Sequence, residues 1–187
     1  MNMQSTPPRI VITGAPGSAK SLFLDRLRDE PFMAGFVFFE EVARVLLESH
    51  PELRGQWAEF HRRIYARQTA QEAAVGTRPF VTDRGTVDAH AFHPETLADV
   101  GTSLEREYER YTAVIHLQTA AALDNRPWET DSVRTESRDD ALAIERALKL
   151  AWQDHPGYYF LPAENDVDRK YRRFRDMVRQ EVEDSGG

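Results

Sequence analysis

The stretch RIVITGAPGSAKSLFLDRL, residues 9–27, decides the fold. It begins with an apolar run typical of a buried strand, passes through a glycine-containing turn and ends in a segment with helical periodicity. Its turn, residues 14–21, matches the phosphate-loop pattern G-x-x-x-x-G-K-[ST] except at position 19, where alanine replaces glycine. Backbone N–H groups and a helix N-terminus bind phosphate in such loops. The stretch therefore predicts a strand, a phosphate-binding loop and a helix.

The residues of this loop have separate predicted roles. The predicted cofactor site consists of Gly14, Ala15, Pro16, Gly17, Ser18, Ala19, Lys20 and Ser21. We expect Lys20 to bridge the β- and γ-phosphates of ATP, and the Ser21 hydroxyl to bind Mg²⁺. Ala19 costs about 1–2 kcal/mol if its position needs a left-handed backbone, and almost nothing otherwise. The alternative interpretation is a structural turn between a strand and a helix, with a lysine there by chance.

Composition narrows the class of protein. The 187 residues suffice for one domain, and 41% of them are hydrophobic. The net charge of −7 argues against a general nucleic-acid-binding protein. No apolar run approaches the roughly 20 residues of a membrane span, and the N-terminal residues lack the apolar segment of a signal peptide. The chain has no cysteine, which excludes disulfides and thiolate metal sites. We expect a cytoplasmic protein with a small-molecule partner and no contact with membranes or nucleic acid.

Short apolar runs alternate with helical patterns along the rest of the chain. Further strands are predicted at 35–40, 78–85, 112–117 and 157–162, and helices at 21–30, 41–50, 55–74, 103–111, 137–155 and 165–183. This alternation predicts an α/β, three-layer P-loop NTPase fold: a mostly parallel five-stranded sheet with helices on both faces. We expect one domain over residues 1–187, with loose ends at about 1–8 and 184–187 and a lid at about 118–140.

Charged residues follow the second predicted strand. Glu40 and Glu41 lie at the strand-to-helix junction, and Arg44 follows one helical turn later. Ligands of parallel sheets bind at the carboxyl ends of the strands, so a carboxylate here could accept a proton from a substrate hydroxyl. Arg44 could then hold a polar or anionic partner. The alternative is a helix N-terminus at which the dipole favours acidic residues.

The third predicted strand ends in Thr82-Asp83-Arg84-Gly85. An aspartate beside a phosphate loop can bind Mg²⁺, directly or through water, or act as a base. Arg84 could contact a phosphate or the acceptor of a phosphoryl group. The alternative is an ion pair that stabilises a turn.

A long polar segment follows the fourth predicted strand. It contains Arg126, Arg134 and Arg138, and long loops over phosphate sites often act as lids. An arginine that closes on the γ-phosphate would stabilise charge in the transition state. Taken one at a time, each arginine is equally well explained as a surface residue. His90 and His93 are better explained by chance than by a zinc site.

The combination VITGAPGSAKS, EEVAR, FVTDRG, DSVRTES and YYFLPAENDVDRKYRRF resembles the AAA_28 group of P-loop proteins. That group is similar to the ribosylnicotinamide-kinase domain of the bacterial NadR regulators, and the resemblance covers roughly residues 9–180. It implies a nucleoside- or nucleotide-kinase fold that binds ATP phosphates and Mg²⁺ on residues 14–21. It also implies acceptor-pocket residues Glu41 and Arg44, a D-R pair at Asp83 and Arg84, lid residues Arg134 and Arg138, and an adenine site near 162–169.

Three functions remain open on the sequence. The first is a kinase that transfers the γ-phosphate of ATP to a small hydroxyl-bearing acceptor such as a nucleoside, with Lys20, Asp83, Glu41, Arg84, Arg134 and Arg138 as the catalytic candidates. The second is a nucleotide-dependent sensor, and the third is a simple NTPase that transfers phosphate to water. Substrate contacts are assigned to Glu41, Arg44 and Arg84, and metal contacts to Ser21 and Asp83. The sequence lacks the guanine-specific N-K-x-D pattern, which favours ATP as the donor.

Overall fold

The computed structural model describes residues 6–125, 127–128 and 136–186. The strands are β1 (Arg9–Thr13), β2 (Val37–Phe39), β3 (Phe80–Asp83), β4 (Ala113–Leu117) and β5 (Tyr158–Leu161). The helices are α1 (Lys20–Arg28), α2 (Val42–Ser49), α3 (Trp57–Val75), α4 (Thr86–Phe92), α5 (Thr96–Asp99), α6 (Leu104–Tyr108), α7 (Arg138–Trp152) and α8 (Val167–Gly186). Short 3₁₀ turns lie at Pro31–Met33, Pro51–Leu53 and Ala120–Ala122.

The five strands form one parallel sheet in the order β2-β3-β1-β4-β5. The strand that precedes the phosphate loop lies at the centre, where Ile10 pairs with Val81 on one side and with Ala113 on the other. The α/β fold with a five-stranded parallel sheet, predicted from the sequence, is confirmed. Parallel strands bury both faces of a sheet, which explains why β1 and β4 read as continuous apolar runs.

Side chains of β1 alternate between two hydrophobic cores. Ile10 and Ile12 belong to the core formed with α1 and α8, where Phe23 and Phe174 are fully buried. Val11 faces the opposite core, which contains Phe80, Val87, Tyr111, Val114 and Trp152. Helices therefore cover both faces of the sheet, and the two cores hold the central strand in place from either side.

A third cluster extends the fold beyond the sheet. It joins α2 to α3 through Val42, Leu46, Leu53, Phe60 and Ile64. The short helices α4 and α5 were not predicted from the sequence, because each has at most seven residues and shows no clear helical period. The α4 helix begins directly after the Asp83–Gly85 turn and packs closely against α7.

The topology brings three polar segments together. Because β2, β3 and β1 are parallel neighbours, the residues that follow them lie at the same edge of the sheet. These segments are the phosphate loop, the Glu40–Arg44 junction and the turn after β3. In the described part of the chain, no helix combines the length and apolarity that crossing a bilayer requires.

Candidate active site

The phosphate loop leaves no room for side chains at two of its glycines. A Cβ at Gly14 would lie 2.5 Å from the Leu117 carbonyl oxygen. Gly17 has φ of +81°, and a Cβ there would lie 2.8 Å from the Trp128 ring. The loop leads directly into α1, whose first N–H groups have no partner within the helix. The loop therefore keeps the close backbone approach and the helix N-terminus that a phosphate group requires.

Ala19 adopts a left-handed backbone conformation, with φ of 70° and ψ of 18°. The costlier of the two alternatives for this position therefore applies, and the Cβ costs about 1–2 kcal/mol. The Ala19 carbonyl accepts the first helical hydrogen bond from Phe23 N–H at 3.0 Å, and its methyl group packs against the α1–α8 core. These contacts keep alanine in the conformation that glycine normally supplies.

The loop lysine is held by the aspartate of the third strand. Lys20 and Asp83 form a buried ion pair, and both side chains are less than a tenth exposed. Burial raises the pKa of Asp83, the attraction of Lys20 offsets this only in part, and the charge of Glu41 raises it further. Asp83 is thus the ion-pair partner of Lys20 beside the phosphate loop. Phosphate oxygens entering the loop would compete with Asp83 for the ammonium group.

A second ion pair joins the ends of the second and third strands. Arg84 donates from Nε to Glu41 Oε1 at 2.8 Å, and its guanidinium lies 5.1 Å from the centre of the Phe92 ring. Burial alone raises the pKa of Glu41, but the charges of Arg84 and Lys20 lower it to about 2. Burial alone would lower the pKa of Arg84, yet the attraction of Glu41 raises it above its ordinary value. Glu41 is therefore ionised at every physiological pH.

Arg84 also has a left-handed backbone, with φ of 71°. Its carbonyl oxygen accepts hydrogen bonds from Thr82 Oγ1 at 2.8 Å and from Gln68 Nε2 at 3.5 Å, while its N–H donates to the Ile12 carbonyl at 3.0 Å. Left-handed non-glycine residues cost free energy unless their surroundings hold them, and they concentrate at functional sites. The strain at Arg84 therefore marks this turn as part of the candidate site.

Two cavities meet at the Glu41–Arg84 pair. One, of about 380 Å³, lies over the phosphate loop and the next residue of α1, Leu22, and is also bounded by Arg44. The other, of about 490 Å³, opens between α2, α3 and α4. Glu41, Arg84 and Glu136 line both cavities. A group bound in the second cavity would thus face the phosphate loop across these charged side chains.

The larger cavity is mainly apolar. It is lined by Val42, Ala43, Leu47, Trp57, Phe60, His61, Ile64, Gln68, Ala89, Phe92 and His93, among others. Burial and the neighbouring His93 lower the pKa of His61 to about 4, so the ring is neutral at physiological pH. Its size and apolar lining are those of a small-molecule site.

One face of α3 supplies much of this wall and was not assigned to a site from the sequence. Trp57, Phe60, His61, Ile64 and Gln68 are spaced as neighbours on one helix face. The Oε1 atom of Gln68 and the Nδ1 atom of His61 are buried and have no hydrogen-bond partner. The same spacing is equally typical of a core-facing stripe, so the pattern alone could not distinguish a pocket from a core.

Other residues predicted from the sequence to belong to the site lie outside the larger cavity. Arg44 is exposed and lines the phosphate-loop cavity rather than the larger one. Ser21 and Asp83 share a cavity of about 190 Å³ with Glu40, which is itself exposed. Sequence reasoning also missed Lys170, whose ammonium donates to the carbonyl oxygens of Ser18 and Gln118 at 3.0 and 2.8 Å and so supports the loop from behind.

Of the three predicted lid arginines, the structure describes Arg138. Arg138 donates to the carbonyl oxygens of Ala121 and Leu123 at 2.8 and 2.9 Å, so it connects the start of α7 to the preceding segment. It lines neither of the two larger cavities. In this arrangement the guanidinium of Arg138 is engaged at the start of α7, and its contact with the γ-phosphate stays a prediction. Arg126 and Arg134 lie outside the described residues.

The donor set suits a hard cation that also binds phosphate. Across residues 6–125, 127–128 and 136–186, no three His, Asp or Glu side chains form a metal site by themselves. Mg²⁺ usually takes one or two protein oxygens and completes its shell with water and substrate phosphates. The hydroxyl of Ser21 and the carboxylate of Asp83, which border one cavity beside the loop, fit that requirement.

Comparison with known proteins identifies a family whose sequence model matches this chain and solved structures with a similar fold. The sequence model of the AAA_28 family, described as an AAA domain, matches residues 9–170. No curated protein matches the chain. A structure of deoxyadenosine kinase from M. mycoides with bound dATP superposes with a TM-score of 0.61 at 13% identity, covering 92% of this chain and 99% of that one. A second structure of that enzyme, with the products dCMP and dCDP, gives a TM-score of 0.60 at 12% identity over the same shares.

Proposed function

The chain belongs to the AAA_28 family, and we propose that it is an ATP-dependent kinase that phosphorylates a hydroxyl group of a small, nucleoside-like acceptor. The observation that carries the proposal is the shared wall of the two cavities. Glu41 and Arg84 border both the phosphate loop and a largely apolar pocket of about 490 Å³. A donor phosphate and an acceptor hydroxyl bound in these cavities would meet at this pair.

On the donor side, the loop residues 14–21 would hold the phosphates of ATP. Their backbone N–H groups and the N-terminus of α1 favour negative charge, and Lys20 would exchange Asp83 for phosphate oxygens. Ser21 and Asp83 are the residues that would hold Mg²⁺. When bound, this ion would supply positive charge that stabilises the transferred phosphoryl group. Catalysis on this side would consist of positioning and charge stabilisation.

On the acceptor side, we assign the hydroxyl to Glu41. Its ionised carboxylate can accept a hydrogen bond from the hydroxyl and align the oxygen with the γ-phosphate. A carboxylate with a pKa of about 2 is a weak base, so it would take the proton only as the new bond to phosphorus forms. Arg84, held 2.8 Å from Glu41, would balance the negative charge at the point of transfer.

The acceptor pocket supports a flat, partly polar ring system. Phe60, Phe92 and the exposed Trp57 provide aromatic surface, and Trp57 is 54% exposed. The unpartnered Gln68 Oε1 would accept a hydrogen bond from a ring N–H or amino group, which offsets the cost of burying that oxygen. A nucleoside combines such a ring with hydroxyl groups.

A nucleotide sensor without phosphoryl transfer is the second candidate. The left-handed alanine at position 19 favours it, because it departs from the glycine of the phosphate-loop pattern and costs about 1–2 kcal/mol. The apolar pocket that shares Glu41 and Arg84 with the phosphate-loop cavity favours the kinase instead, because a sensor needs no acceptor site.

The deciding experiment measures release of ADP from Mg²⁺ and ATP with each of the four common ribonucleosides and the four deoxynucleosides. The kinase proposal expects at least one acceptor to stimulate release and to appear as its monophosphate by mass spectrometry. ATP binding with no stimulation and no phosphorylated product across this panel would favour the sensor. Stimulated ADP release with free phosphate as the only product would instead indicate an NTPase.

A further inference from the structure

Asp88, in the first turn of α4, is a buried carboxylate with four partners. It is 2% exposed. Its Oδ1 accepts from the Thr13 hydroxyl at 2.5 Å and lies 3.5 Å from Arg84 Nη1, while its Oδ2 accepts from Gly85 N–H at 2.9 Å and from Trp152 Nε1 at 3.1 Å. Only the bond to Gly85 belongs to the start of the helix. The other three lead to β1, to the acceptor-side arginine and to α7.

These partners connect the two halves of the candidate site. Thr13 directly precedes Gly14, the first residue of the phosphate loop, and Arg84 holds Glu41 on the acceptor side. We propose that Asp88 is a positioning residue: it fixes the Arg84–Glu41 pair relative to the phosphate loop and so sets the alignment of donor and acceptor. This inference rests on the proposed function and adds a residue to which no role was assigned from the sequence.

The physical reason is the competition of two carboxylates for one guanidinium. The Arg84 side chain lies between Glu41 and Asp88, bonded at 2.8 Å to the first and 3.5 Å from the second. Without the charge at Asp88, Arg84 would be free to pair fully with Glu41 and draw that carboxylate away from the acceptor. Displacements of about 1 Å in such a site cost up to roughly 100-fold in rate.

Asp88→Asn tests the idea because it keeps size and removes charge. We expect kcat with the best acceptor of the nucleoside panel to fall about 10- to 100-fold per folded molecule, while the KM for ATP changes less than about threefold. Thr13→Val, which removes the hydroxyl donor, should lower kcat in the same direction, and Thr13→Ser should restore it. Trp152→Phe removes the indole donor to Asp88 Oδ2 together with buried ring volume and leaves the Oδ1 contacts with Arg84 and Thr13, so it should lower the thermal midpoint and leave kcat within about twofold.

An independent readout separates this proposal from the kinase proposal. The Arg84 Nε–H signal in a ¹H–¹⁵N spectrum, assigned by its loss in Arg84→Lys, should shift in Asp88→Asn and stay in place in Trp152→Phe. If no nucleoside stimulates turnover of the unmodified protein, the proposed function fails and this signal alone decides the role of Asp88. An unmoved Arg84 signal, or unchanged kcat in Asp88→Asn with only a lower thermal midpoint, would overturn the positioning role.

Discussion

Two residues with almost the same unusual backbone stand on opposite sides of the candidate site. Ala19, in the phosphate loop, has φ of 70°, and Arg84, at the end of β3, has φ of 71°; no other described residue except glycine has a positive φ. The strain at Ala19 follows from the local shape of the loop. The left-handed conformation of Arg84 is stabilised by hydrogen bonds that Thr82 and Gln68 donate to its carbonyl oxygen. These two residues belong to β3 and α3.

This difference separates the donor half of the site from the acceptor half. The phosphate loop is one continuous segment that leads into α1, so its sequence pattern is local, although Lys170 and Thr119 also hydrogen-bond its carbonyl oxygens. The acceptor half is assembled from α2, α3, α4 and the turn after β3, so each side chain there depends on contacts distant in sequence. Substitutions in the two halves should therefore affect binding, turnover and stability in different proportions.

The largest effect is expected for Lys20→Ala. Loss of the ammonium removes the charge that would stabilise the transferring phosphoryl group, and we expect roughly a 100- to 1,000-fold loss of turnover. It also leaves the buried carboxylate of Asp83 without its partner. The measurement is ADP release with Mg²⁺ and ATP. Lys149→Ala on the exposed face of α7 is the matched control and should keep full turnover; retained turnover in Lys20→Ala would contradict the site assignment.

Arg84→Gly tests the acceptor half directly. Glycine relieves the left-handed backbone, but it removes the side chain that pairs with Glu41 and Asp88. We expect about a 100-fold loss of kcat with little change in the affinity for ATP, measured by calorimetry. Arg84→Lys keeps the charge and loses the forked geometry of the guanidinium, so its kcat should lie between those of the unmodified protein and Arg84→Gly. Full activity in Arg84→Gly would show that the acceptor half needs only the backbone of this turn.

The Glu41 carboxylate should contribute to the free energy of unfolding by an amount that depends on pH. Its pKa of about 2 in the folded chain lies below the ordinary value of 4.5, so its contribution to stability is complete above about pH 5 and is lost as the pH falls toward 2. The shift corresponds to a contribution on the order of 3 kcal/mol at neutral pH. Urea unfolding between pH 2 and 7 should show a smaller loss on acidification for Glu41→Gln than for the unmodified chain. Parallel curves for the two proteins would contradict a depressed pKa.

The smallest effect is expected for Ala19→Gly. Relief of the left-handed strain is worth about 1–2 kcal/mol, and the greater freedom of glycine in the unfolded chain takes back about 0.4–1 kcal/mol. The net gain of about 0.5–1 kcal/mol should appear in the free energy of unfolding. The affinity for ATP should change by less than about threefold, because residue 19 already has its left-handed backbone in the loop. Ala34→Gly, at an exposed residue with φ of −57°, is the control and should not stabilise the chain. A destabilised Ala19→Gly would mean that the methyl contact with the core outweighs the strain.

The sequence predicts the donor half well because its determinants are local. The apolar run, the glycines, Lys20 and the helical period occur within residues 9–27, and the structure places them as a strand, a loop and a helix. The strand-end residues Glu41, Asp83 and Arg84 could also be found, because parallel strands bring their carboxyl ends to one edge. Whether position 19 needs a left-handed backbone could not be decided, since that depends on the path of the loop.

The acceptor half could be predicted only in part. Gln68 and His61 lie on a helix face whose spacing is the same for a pocket and for a core. Asp88 lies on α4, which is too short to show a helical period, and its partners Thr13 and Trp152 are 75 and 64 residues away in sequence. The place of Arg138 depends on carbonyl oxygens of a non-repetitive segment, which no sequence pattern reveals.

The central claim is that the two cavities hold donor and acceptor on either side of the Glu41–Arg84 pair. The most direct test is a crystal structure with a bisubstrate probe, in which adenosine and a nucleoside from the active panel are joined through a pentaphosphate. We predict that the phosphates lie on the N–H groups of residues 14–21 and that the acceptor nucleoside enters the cavity lined by Phe60 and Gln68. A probe whose phosphates lie outside the loop, or whose acceptor nucleoside lies away from that cavity, would contradict the account.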